Sequence, residues 1–266
     1  MKREKTKKPL RQRMLLSFLL LALALVSVTA VTVAWFSIAD NTRVRSISMN
    51  VTSGVALRID LDAHDDFMEY VKVLTFGQIA QRIRQEKGFD MTETPLEPVT
   101  TSDGISFTFR DGSPADSQSG VYLEFTLHFM AQEDMVVHLT SSDFSEEMKG
   151  TRINSETAGL DVAMRISFTY DGTTYIFDPG MGDFSKEISN GKIFGIPSAG
   201  NMVYNDVNAM FSLQSGVDAP VVVRIWLEGE DEACTNALKG SDYSIRLRFE
   251  GTTEDHQRFS TADRHG

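Results

Sequence analysis

The sequence predicts an all-β fold: an antiparallel β-sandwich with one short helix, preceded by an N-terminal transmembrane or signal helix. Three observations predict it. A basic head runs into a long uncharged apolar segment; most of the remaining chain alternates apolar and polar residues with period two; and Gly paired with Asp, Asn or Ser separates the alternating runs.

The head carries Lys2, Arg3, Lys5, Lys7, Lys8, Arg11 and Arg13 against the single acid Glu4, and no further charge occurs before Asp40. At about 1.5 Å per helical residue, Met14 to Phe36 is long enough to cross a hydrocarbon core of roughly 30 Å. The positive flank stays in the cytoplasm, so the chain beyond Trp35 is expected outside. The length favours an uncleaved anchor, because secretory signals have apolar regions of only about 7 to 15 residues. Small residues in Thr32-Val33-Ala34 and the β-branched crowd Val28, Thr29, Val31, Thr32 and Val33 favour a cut between Ala34 and Trp35. The expected organisation is a signal or anchor over 1–34, an exported sandwich over 35–252 and a polar tail over 253–266.

Ile47, Met49 and Val51 alternate with Ser46, Ser48, Asn50 and Thr52, and Leu57, Ile59 and Leu61 alternate with Arg58, Asp60 and Asp62. Both read as strands buried on one face. Further strands are expected at Ile105–Arg110, Gly120–Met130, Met135–Thr140, Val162–Tyr170, Thr174–Phe177, Val221–Glu228 and Tyr243–Glu250. In the second of these, Val121, Leu123, Phe125, Leu127 and Phe129 form a complete apolar face, as one layer of a sandwich requires. Asp171-Gly172 between Tyr170 and Thr173 predicts a tight hairpin. The single helix is expected at Phe76–Lys87, where Phe76, Ile79, Ala80 and Ile83 share a face and Gly88 follows as a stop. Phe184–Leu213 reads as a long crossover loop with one helical turn near Val207–Phe211.

Composition narrows the function. The chain has 26 Lys+Arg and 37 Asp+Glu; removing the head's seven bases and one acid leaves 19 against 36, a net charge of −17 for the remainder. Such a surface repels nucleic acid and anionic lipid. Cys234 stands alone, so no intrachain disulfide supports the exported part; burial or a loop position is the plain expectation for it.

Enzyme signatures are absent. There is no His-Glu-x-x-His, Gly-x-Ser-x-Gly, Gly-x-x-x-x-Gly-Lys, Gly-x-Gly-x-x-Gly or Cys-x-x-Cys, and no catalytic residue or cofactor is assigned. His128 and His138 flank the turn at Glu133-Asp134 and, with Glu124, form the one conceivable zinc set; two partly exposed strand histidines are the plainer reading. Asp60, Asp62, Asp65 and Asp66 around His64, and Glu228, Glu230, Asp231 and Glu232, offer oxygens for calcium without the spacing of an EF-hand loop. Trp226 lies in a strand apolar on both faces, which favours a buried indole over a sugar platform.

The basic head, the long apolar segment, the aromatic pair Trp35-Phe36 followed by Ser37 and Asp40, and the Ser/Thr-rich alternating strands resemble the TasA and camelysin family. Val121–Leu139 and Ser244–Glu250 extend the resemblance. It departs at Ile38-Ala39, where the family shows a shorter aromatic, small, acid run. The resemblance implies a jelly-roll-like exported protein of Gram-positive bacteria, processed by a SipW-type signal peptidase, found at the cell surface or in the biofilm matrix and in some members polymerising into fibres.

The residues themselves are compatible with self-association. A terminus at Trp35 would lead into the strand of Ile47, Met49 and Val51, and a free apolar strand can add to a neighbour's sheet edge. Burying Trp35, Phe36, Ile47, Met49 and Val51 is worth on the order of 7 to 15 kcal/mol gross, before association and ordering costs. The alternative is that the strand pairs within its own domain, Trp35 and Phe36 mark the membrane interface, and the chain is an anchored ectodomain that binds a protein or polysaccharide.

Overall fold

Period-two alternation is a burial pattern, and in this chain it sorts the strands into two sheets facing one core. A computed structural model describes residues 17–21, 43–51, 56–141, 150–238 and 241–259. In the six-stranded sheet the order is β12 (Ala209–Leu213), β6 (Met135–Leu139), β14 (Asp242–Thr252), β1 (Arg43–Val51) and β3 (Val73–Leu74), with β7 (Arg152–Ser155) also on β14. The eight-stranded sheet runs β10 (Ser185–Ile188), β11 (Gly191–Phe194), β9 (Thr173–Phe177), β8 (Met164–Tyr170), β13 (Ala219–Glu228), β5 (Leu123–Ala131) and β2 (Leu57–Asp60), with β4 (Pro98–Val99) on β13.

The all-β sandwich is therefore present, but it is not purely antiparallel. β1 pairs β14, β9 pairs β11 and β4 pairs β13 in parallel. Alternation reports which face is buried and carries no information on the direction of the neighbour, so this feature is invisible to it. The predicted hairpin is present between β8 and β9, with Asp171 at φ 46° and Gly172 at φ 77°, the two positive values that a tight two-residue turn needs.

Helix α1 (Phe76–Lys87) has the predicted bounds. The Gln78 side chain accepts a hydrogen bond from the Thr75 amide at 3.0 Å, and Gly88 closes the helix at φ 82°. Ile79 and Ile83 are fully buried, and Lys87 at the last turn reaches Glu124 on β5 at 2.9 Å. A second helix, α2 (Leu160–Ala163), is a single turn leading into β8.

Two expectations fail. Phe184–Leu213 contains β10, β11 and β12 in place of a loop with a helical turn, and Ile105–Arg110 forms only isolated bridges from Thr108 to Thr100 and Pro114. Ser185, Lys186 and Glu187 of β10 are exposed, so this edge strand shows no apolar alternation. Phe107 is buried, but against Trp226 on the outside of the eight-stranded sheet and not within a strand.

The main core lies between the sheets. Phe129 meets Phe249 and Phe211 edge-on at 5.1 and 5.4 Å, and Phe168 meets Phe249 at 5.7 Å. A second, smaller core covers the outer face of the eight-stranded sheet, where Val99, Phe107, Val121, Tyr122 and Ile176 enclose Trp226. After Thr252 the polar chain turns back on itself: Thr253 N donates to Gln257 O at 2.9 Å and Thr252 bridges Arg258. Of the N-terminal apolar segment only the helical residues 17–21 are described, and among the described residues no helix is long and apolar enough to cross a membrane.

Candidate assembly strand

β1 is built by its alternation. Ile47 and Met49 point inward and are fully buried, Val51 is half-buried against the same core, and Ser46, Ser48 and Asn50 face outward. In the parallel ladder Ile47 stands beside Ile245, Met49 beside Leu247 and Val51 beside Phe249. The other side is covered only at its end: Met49 and Asn50 pair with Leu74 and Val73 of β3, and Val51 N donates to Lys72 O at 3.0 Å. Among the described residues no strand lies along that side of residues 43–48. The structure thus joins Ile47, Met49 and Val51 in one strand, seated in the sheet of its own chain. Ala34, Trp35 and Phe36, the expected cut and the head of the proposed donor segment, lie outside the described residues.

The histidines do not converge. The Gln132–Asp134 turn crosses from one sheet to the other instead of closing a hairpin, so β5 and β6 carry His128 and His138 into different sheets. His128 Nδ1 lies 2.9 and 3.0 Å from the Asp218 carboxylate, which also accepts the Tyr70 hydroxyl at 2.6 Å. Burial, then the bond to Asp218, pushes the Tyr70 hydroxyl up to about 12. His138 is fully buried, with Nδ1 2.8 Å from Asn208 Oδ1 and Nε2 3.0 Å from Thr252 Oγ1. Burial is the main cause that lowers it to about 4. Glu124, the supposed third ligand, pairs with Lys87 and Arg224. Among the described residues no group of three or more His, Cys, Asp or Glu side chains is placed to hold a metal.

The acidic runs serve mainly internal contacts. Asp60 and Asp66 accept nearby backbone amides, and Asp62 pairs with Arg82 at 2.6 Å. Glu228 accepts the Trp226 indole N–H at 3.0 Å, and Asp231 pairs with Arg165 at 2.6 Å. Trp226 is buried, and Cys234 is half-buried, its thiol pushed up to about 12 by burial and then by Asp231 and Glu228.

A group the sequence reading passed over lies on the outer face of the six-stranded sheet, where Arg152 of β7 stands beside Arg246 of β14 and Arg248 follows two residues on. The alternation of Arg246 and Arg248 was legible; β7, which brings Arg152 to them, was not. Comparison with protein families, with curated proteins and with solved structures finds no match.

Proposed function

We propose that this chain is an exported structural protein of the cell surface or biofilm matrix, a jelly-roll-like sandwich that polymerises by exchanging β1 between copies. The observation that carries this reading is the placement of β1. Among the described residues it is the first strand of the sandwich, it follows the apolar N-terminal segment in sequence, and it fills the slot beside β14 with Ile47 and Met49 fully buried. A strand attached to its domain at one end only can leave that slot and enter the same slot of a neighbour, keeping every side-chain contact.

The test is a lock. Ser46 and Ser244 are outward-facing partners in the β1–β14 ladder, so Ser46→Cys with Ser244→Cys can be bridged within one chain. Under the exchange reading the oxidised protein stays folded and forms no fibres, and reduction restores them. Fibres of equal yield from the oxidised form would refute it.

A second reading, an anchored ectodomain that binds a protein or polysaccharide, is favoured by a cleft of about 330 Å³ lined by Ser141, Ile153, Phe177, Ile196 and Pro197, into whose wall the buried Ser141 hydroxyl is set, without a hydrogen-bond partner among the described residues. Mass spectrometry of the N-terminus recovered from cells separates the two: a terminus at Trp35 supports the matrix subunit, and an intact head in the membrane fraction supports the ectodomain.

A further inference from the structure

In β14 the residues Tyr243, Ile245, Leu247 and Phe249 face the core, so Ser244, Arg246 and Arg248 face out. β7 sets Arg152 directly beside Arg246, while on the other side β1 presents only Ser48 and Asn50 opposite Arg246 and Arg248. The face is therefore a band of guanidinium groups bordered by Ser46, Ser48, Asn50, Asn154 and Ser244, beyond which Arg45 pairs with Asp242 near Glu156. Arg246 is held in place by donating from Nε to Gly150 O at 2.7 Å. Its pKa lies below the ordinary arginine value, through burial and then through the like charges of Arg152 and Arg248. Among the described residues no carboxylate pairs with Arg152 or Arg246.

A cationic band on a chain whose remainder carries 36 acids to 19 bases is complementary to little except that chain itself. The loop after β13 supplies the match. Glu228 and Asp231 are engaged with Trp226 and Arg165, but Glu230 and Glu232 are exposed and form no ion pair among the described residues. A long polyanion reaching beyond the band would meet the acidic rest of the surface, whereas a short loop presents its two carboxylates locally. Net repulsion between copies is screened beyond about 8 Å at physiological salt, so contact pairs decide the outcome.

We propose that the face carrying Arg152 and Arg246 docks the Glu230–Glu232 loop of a second copy of this chain. The two patches differ, so the contact is head to tail; on its own, without strand exchange, it joins copies reversibly into short oligomers or rings and makes no stable fibre. This deepens the assembly reading and rests on it, but uses a surface separate from the β1 slot.

The experiment is sedimentation of the full chain in non-ionic detergent with the Ser46→Cys, Ser244→Cys lock closed, so that strand exchange makes no contribution. Association should weaken about tenfold between about 0.15 M and about 1 M salt. Arg152→Glu with Arg246→Glu should lose it, Glu230→Arg with Glu232→Arg should lose it, and an equimolar mixture of the two should regain it. Circular dichroism checks that each variant is folded, and Arg152→Gln with Arg246→Gln replaces the first if it is not. A mixture no tighter than either variant alone overturns the proposal. So does salt-insensitive or absent association of the locked parent, or salt-sensitive binding of polyglutamate without self-association.

Discussion

Lowering the pH from neutral should destabilise the fold through one residue, His138, before the carboxylates titrate. The imidazole sits on β6 with no solvent exposure, and Asn208, Thr252, the Tyr204 ring at 5.1 Å and the His256 ring at 5.3 Å surround it. Asn208 Nδ2 donates to Val203 O, which turns Oδ1 toward His138 and so selects the tautomer protonated at Nδ1. Nε2 then accepts from Thr252. Adding a proton there costs desolvation, the largest effect, which the bond to Asn208 opposes in part; the charges of His256 and Lys192 add to the cost, and Glu250 is the cross-strand neighbour on β14. The folded value of about 4 lies below the 6.5 of the free side chain. The unfolded chain therefore binds the extra proton first, and stability is complete above about pH 6.5 and lost as pH falls toward about 4, on the order of 3 kcal/mol in all. Glu124, which Lys87 and Arg224 hold below the usual carboxylate range against the opposing effect of burial, contributes only at lower pH. Urea unfolding at a series of pH values measures the effect. His138→Gln should cost about 1 to 3 kcal/mol near pH 7 through its lost hydrogen bonds, yet show a flatter slope between about pH 7 and 5. Equal slopes for variant and parent would refute the reasoning.

Truncating Met49→Ala should cost about 2 to 5 kcal/mol, because the side chain is fully buried between Leu247 and Leu74; a loss below about 1 kcal/mol in denaturant unfolding would mean that β1 contributes little to the sandwich. Gly191→Ala should break the parallel β9–β11 pair, since a Cβ there would overlap the Thr174 carbonyl oxygen, and faster amide exchange at Ile193 and Phe194 is the expected readout. Unchanged exchange would show that the turn relaxes at no cost.

Much of the fold was legible because burial on one face writes itself into the sequence. The alternation of Leu123, Phe125, Leu127 and Phe129 is β5, the spacing of Phe76, Ile79 and Ile83 is α1, and Asp171-Gly172 is the hairpin turn. The apolar character of both faces around Trp226 also held: Val223, Ile225 and Leu227 fill the main core while Trp226 fills the second one. Pairing partners were not legible. A turn such as Gln132–Asp134 looks the same whether it closes a hairpin or arches between sheets, and only the second separates His128 from His138. Edge strands such as β10 are shaped by one neighbour and by water, so they carry no periodic mark. The arginine band had half its signal in β14 and the other half in β7, a strand too short to detect.

The position of β1 also sets the conditions for assembly. An exchanged strand makes the contacts it makes at home, so Ile47 and Met49 contribute nothing to the difference between monomer and polymer, however deeply they are buried. What remains is the competition between the chain's own β1 and that of a neighbour. With only residues 52–55 separating β1 from the next described segment, the home strand competes at an effective concentration on the order of mM. Dilute protein should then stay monomeric. Polymer would require either local crowding of the chains, or a second contact that holds copies together while the strands exchange. A docking of the acidic loop on the arginine face supplies such a contact without touching the β1 slot, which is why the two surfaces are best tested separately and then together.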